Sequence, residues 1–138
     1  VTIGRAIPLT WEQATVTATA EGMRFTIPVI TSANRIWRTG QGRTYKAKGA
    51  GADEMQARTR FPRVAQSGAL TVRITWFRKT RSGDTDNRIK PTLDLLRGIA
   101  YHDDASICRI EAERIDDGSP ARIVVDVVPY TEPNRRAA

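Results

Sequence analysis

Two aspartates two residues apart, Asp84 and Asp86, open a segment running from Gly83 to Arg109 that closes on a second acidic pair, Asp103 and Asp104. In an extended or turning backbone, side chains two apart share a direction, so Asp84 and Asp86 can converge. An antiparallel return after the intervening helix would bring Asp103 and Asp104 back towards them. Clustered carboxylates repel one another unless a cation neutralises them, and Mg²⁺ is commonly held by a few carboxylates with water and phosphate oxygens completing six ligands. The cluster therefore predicts Mg²⁺, or Mn²⁺ in its place. Such a site supplies what phosphodiester hydrolysis needs: an acidified attacking water, and positive charge where the pentavalent phosphate becomes more negative. Lys90, one helical turn beyond Asp86, is placed to stabilise the transition state or the leaving oxygen, or to orient the water.

Each residue also has a plainer reading. Asp86 or Asn87 can be a helix N-cap, which stabilises by about 1 kcal/mol. Lys90 and Asp94 can form an ordinary i,i+4 ion pair, and Asp103 with Asp104 can be turn residues. Their coincidence on one short helical unit favours the cation site. An EF-hand counted from Asp84 needs glycine at its sixth position and glutamate at its twelfth, where this chain has Ile89 and Leu95. A haloacid-dehalogenase-type motif should cap a buried apolar strand in a larger domain, whereas Arg81, Ser82 and Gly83 precede Asp84. The single Cys108 and single His102 provide neither an internal disulfide nor a zinc ligand set, so oxygen must hold any metal.

The elements that must position these groups can be read from periodicity. Leu70 to Phe77 alternates Leu70, Val72, Ile74 and Trp76 with polar residues, as a half-buried strand does. Ile89, Leu93, Leu96 and Ala100 make a helical stripe within Asn87 to Ala100. Ile107 to Ile115 and Ile123 to Val128 read as strands joined by the turn Asp116 to Pro120, which implies an antiparallel hairpin. Upstream, Met23 to Ile30 reads as a strand, Ala14 to Ala20 as an edge strand, and Asp53 to Arg60 as a short helix ended by Pro62. Residues 1–22 form an N-terminal extension and 31–51 a long basic loop. The expected fold is α+β: one small domain over 1–138, with a mixed, mostly antiparallel sheet packed on one or two helices.

The chain has 138 residues, 40% of them hydrophobic, and a net charge of +7, which suits one core and a polyanionic partner. Residues 31–82 carry 12 basic side chains against Asp53 and Glu54, with Trp37 and Tyr45 among them for base or sugar stacking. Arg35, Arg38, Arg43, Lys46, Lys48, Arg78, Lys79 and Arg81 are the expected DNA contacts. No apolar run approaches a membrane span and no secretory leader pattern is evident, so no membrane partner and a cytoplasmic location are expected.

Asp84-Thr85-Asp86-Asn87, Lys90, Asp94 and Tyr101-His102-Asp103-Asp104 resemble the signature D-x-D-N-x-x-K, then D, then D-D, of the RusA family of Holliday junction resolvases. Phe25 to Arg38 is similar to that family's first strand and Asn-containing loop, with Thr31 and Ser32 where paired prolines are usual. The resemblance covers roughly residues 23–129. It implies a Mg²⁺-dependent homodimer with two acidic centres that makes paired incisions in branched, four-way DNA. It also implies Asp84, Asp86 and Asp104 as catalytic metal ligands, Asp103 as a neighbouring candidate, and Lys90 as the essential basic residue. A non-catalytic nucleic-acid module and a metal nuclease with another branched substrate are the competing readings.

Overall fold

A computed structural model describes residues 7–30, 37–40, 43–46, 48–78 and 85–133. Its strands are β1 (Thr15–Ala18), β2 (Met23–Ile27), β3 (Trp37–Gly40), β4 (Arg43–Lys46), β5 (Leu70–Phe77), β6 (Ile107–Ile115) and β7 (Arg122–Pro129). Its helices are α1 (Lys48–Arg60) and α2 (Ile89–Leu96), with 3₁₀ turns at Trp11–Gln13, Thr85–Arg88 and Asp104–Ser106. Five strands form one sheet in the order β1-β2-β7-β5-β6, and β3 with β4 forms a separate antiparallel pair. All pairs in the main sheet are antiparallel except β5 with β6. The result is the expected small α+β fold with a mixed, mostly antiparallel sheet.

Alternation along the strands builds the core. Register aligns Met23, Val127 and Val72 in one row, Phe25, Val125 and Ile74 in the next, and Ile27, Ile123 and Trp76 in a third. Apart from the partly buried Met23, these side chains are buried, and they share the core with Ala57 and Phe61 at the end of α1 and with Leu93 and Leu96 of α2. The other sheet face presents mainly charged and threonine side chains, with Val124, Val128 and Phe77 among them, so most of the apolar burial lies on the helix side.

The inferred hairpin between the last two strands is replaced by a different pairing. β5 lies between β6 and β7, and β6 runs parallel to β5. β7 has Ile123, Val125, Val127 and Val128 buried and is flanked by β2 and β5, whereas β6 is mostly exposed and ends the sheet. Alternation identifies strands but does not choose their neighbours, and the fully buried alternate side chains of β7 favoured its central place. Parallel neighbours need a crossover, which α2 provides.

The basic stretch 31–51 also departs from a simple loop. It holds β3 and β4, with Trp37 opposite Lys46 and Arg38 opposite Tyr45, and the start of α1. Helix α1 begins at Lys48 rather than Asp53, leaving the acids mid-helix and Arg58 and Arg60 in the last turn, ahead of Pro62. The helix at Asn87 to Ala100 is shorter than its stripe. It starts as a 3₁₀ turn, ends at Leu96, and passes into Gly98, whose φ of 82° suits glycine.

The N-terminal extension joins the fold from residue 7 onwards. β1 is the edge strand, Trp11 packs edge-on against Phe61 at 6.2 Å, and the indole Nε1 of Trp11 donates to Asp53 Oδ1 at 3.1 Å. Among the described residues no helix is long and apolar enough to cross a membrane.

Gly22, in the turn before β2, lies so close to β7 that an added Cβ would sit 2.2 Å from the Val127 carbonyl oxygen. Because that neighbour is backbone, we expect Gly22→Ala to destabilise the fold by about 1–3 kcal/mol. An unchanged urea midpoint would contradict this reading.

Candidate active site

The β5–α2–β6 crossover gathers the acidic residues from separate pieces of chain. The turn Thr85–Arg88 packs against both α2 and β6, and the turn Asp104–Ser106 leads directly into β6. On α2, Lys90 and Asp94 stand one helical turn apart. Lys90 Nζ lies 2.8 Å from Asp94 Oδ1 and 3.4 Å from Asp104 Oδ2, so one ammonium group joins carboxylates from two elements. Asp103 turns its side chain to its own backbone, accepting from the Ala105 N–H at 3.2 Å.

Tyr101 forms the floor of this group. Its ring is fully buried, and its hydroxyl donates to the Leu93 carbonyl in the last turn of α2 at 2.5 Å. Burial, and then the negative charges of Asp104 and Asp94, push the phenol pKa well up, so Tyr101 stays neutral and remains a donor. This bond ties the end of α2 to the segment bearing Asp103 and Asp104.

The charges in the cluster reinforce one another. The Asp104 carboxyl is held below the usual carboxylate range, first by the neighbouring Asp103 carboxyl and then by the hydrogen bond from Lys90. The Lys90 pKa is raised, mainly by its hydrogen bond to Asp94 and secondarily by Asp104. At neutral pH, Lys90 is therefore a cation and a hydrogen-bond donor. It remains 63% exposed at its side chain, within reach of a ligand.

Among the residues expected from the sequence, Lys90, Asp94, Asp103 and Asp104 come together here. Asp86 is exposed on the turn packed against β6, and Asp84 falls outside the described residues. Among the described residues no group of three His, Cys, Asp or Glu side chains is close enough to hold a metal. The donor chemistry nevertheless suits a hard cation: the oxygens of Asp94 and Asp104 already converge on one compact positive charge.

The expected DNA contacts divide differently. Arg35, Lys79 and Arg81 fall outside the described residues, while Arg38, Arg43 and Lys46 occupy the β3–β4 pair and Lys48 begins α1. Arg78 departs from expectation. It is only 4% exposed, and its Nε donates to Asp116 Oδ1 at 2.5 Å, so it braces the end of β5 against the end of β6 instead of presenting charge to solvent. Local sequence reports its charge but not its burial.

Arg88 was not singled out by the motif, yet it helps seat the turn that carries Asp86. Its guanidinium lies 4.9 Å from the Trp76 ring centroid, with Nε and Nη1 buried, and Arg78 approaches the same ring at 5.5 Å. The Arg88 carbonyl accepts from Thr92 Oγ1 at 2.6 Å. The available signal was an inward-facing tryptophan at the end of β5, where the crossover begins and a cation can stack.

A family model described as Endodeoxyribonuclease RusA matches residues 26–128, most of the chain. Comparison with curated proteins gave no match.

Two measurements bear on this geometry. Tyr101→Phe removes the bond onto Leu93, so we expect a loss of about 1 kcal/mol in unfolding free energy. Equal stability would show that the hydroxyl does not tie the segments together. A depressed Asp104 pKa stabilises the fold above the ordinary carboxylate value, and that contribution disappears as pH falls through the folded value. Asp104→Asn should therefore flatten the acid limb of stability against pH while leaving the slope above about pH 6 unchanged; parallel acid limbs for both proteins would contradict it.

Proposed function

Because the chain belongs to the RusA endodeoxyribonuclease family, we propose that it is a Mg²⁺-dependent, structure-selective endonuclease that resolves four-way DNA junctions by paired phosphodiester hydrolysis. The observation that carries this reading is the convergence of Asp94 and Asp104 on Lys90 beside the turn bearing Asp86. Asp84, Asp86 and Asp104 are the proposed metal ligands, with Asp103 as their neighbour. Bound Mg²⁺ supplies positive charge at the scissile phosphate and acidifies an attacking water.

The chain's own groups have distinct tasks. Lys90, protonated at neutral pH, donates through Nζ to a phosphate oxygen and offsets the charge that develops there. Asp94 keeps the ammonium near Asp104 and limits the side-chain freedom that would otherwise be lost on binding. Tyr101 holds the end of α2 against the acidic turn from below, so these groups meet in one arrangement. A two-fold substrate cut in two strands calls for two such sites, hence the proposed homodimer.

Cleavage of a synthetic four-way junction in Mg²⁺ by wild type and by Asp86→Asn tests the assignment. We expect the variant to lose more than the roughly 10–100-fold typical of an outer-shell substitution, while junction binding without divalent ion survives or strengthens. Equal cleavage rates would sink the role of Asp86, and junction binding without any Mg²⁺-dependent cleavage by wild type would favour a non-catalytic module. A light-scattering mass of one subunit would contradict the paired cut.

A further inference from the structure

The arginines divide into two populations. On the open face of the main sheet, Arg24 is paired with Asp126, Arg73 with Glu111 and Glu21, and Arg109 with Glu111. A cleft of about 430 Å³ on that face is lined by Arg73 and Arg109 but equally by Glu21 and Glu111, so its charge is balanced. Such a surface has little attraction for a polyanion.

The face bearing the helices is different. Arg58 near the end of α1, Arg63 just beyond it, and Arg97 at the end of α2 are all exposed, and none has a carboxylate partner among the described residues. The backbone brings the latter two segments alongside one another: Val64 N–H donates to the Ile99 carbonyl at 2.9 Å, and Gln66 N–H to that of Ala100 at 2.8 Å. Arg97 bridges to Tyr101, the floor of the carboxylate cluster, while Gly98 N–H donates to the Tyr101 carbonyl at 2.7 Å. The segments that bear these exposed arginines thus run from beside the acidic site to the end of α1.

We infer that Arg58, Arg63 and Arg97 form a phosphate-contacting face that carries the DNA backbone away from the carboxylate site. The inference rests on DNA being the substrate and adds a binding surface outside the β3–β4 region. Guanidinium groups without an internal partner can meet phosphate without first breaking an ion pair, and their planar forks match its oxygens. These contacts recognise the backbone alone, so they serve junction and duplex alike.

The test is the salt dependence of binding, measured by fluorescence anisotropy in EDTA with a synthetic four-way junction and a linear duplex. Three full-length proteins are compared: wild type, R58Q/R63Q/R97Q, and the charge-matched control R24Q/R73Q/R109Q, each checked for an unchanged thermal midpoint. The slope of log K against log salt should flatten by about 0.9 for each phosphate-contacting arginine removed, on both DNAs, while the control keeps the wild-type slope. If a triple variant lowers the midpoint, the three single substitutions are read in its place, with the same expectation for each. A wild-type slope for R58Q/R63Q/R97Q, or equal flattening in the control, would overturn the inference while leaving the nuclease reading intact. Failure of wild type to bind either DNA would remove both.

Discussion

A strand laid parallel to its predecessor cannot be reached through a tight turn, because the chain must first return to the end from which it started. The pairing of β5 with β6 imposes that constraint here, and the resulting crossover carries Asp86, Lys90, Asp94, Asp103 and Asp104. The turn with Asp86 leaves the β5 side, Lys90 and Asp94 stand on the crossing helix, and Asp103 with Asp104 prepares the entry into β6. Three short pieces of chain therefore approach one another through topology before any electrostatic preference acts. Lys90 then links two of them, while the Tyr101 hydroxyl fixes the helix end beneath.

The same constraint explains the unequal roles of the sheet's two faces. α1 and α2 supply the apolar cover for the inner rows of β2, β7 and β5, leaving the outer face without a helix layer and mostly polar. Exposed arginines on that outer face are matched by acids on neighbouring strands, a cross-strand arrangement that stabilises modestly and cancels the local field. The strongly positive net charge is consequently not a property of every surface. Sequence charge locates the excess along the chain, but only folding determines which cations are neutralised by neighbours.

Local patterns were the most legible. The strand at Leu70 to Phe77 and that at Ile107 to Ile115 occur over those spans, and Lys90 meets Asp94 and Asp104 at a spacing that the sequence displays. Pairing partners were much less legible: the outline of β6 and β7 follows from alternation, yet their separation by β5 depends on burial across the sheet. Arg78 makes the same point for a side chain. Its neighbours in sequence suggest a basic surface, while Asp116, far along the chain, draws it inside. The β3–β4 pair was hidden by glycine and charge in a segment with weak apolar periodicity, and the stack of Arg88 on Trp76 joins two elements that no local motif connects.

The edge formed by β6 has a consequence for the protein's colloidal behaviour. Nine residues long and unpaired along one side among the described residues, it is the kind of strand that can recruit another sheet and seed aggregates. Four of its residues, Arg109, Glu111, Glu113 and Arg114, are charged, and Ile110 is its large exposed apolar side chain. That mixture of charge signs makes indiscriminate edge-to-edge growth costly, while leaving the inner side of β6 bound to β5. The strand that closes the crossover thus also serves as a gatekeeper, letting an open-edged sheet persist without becoming a template for fibres.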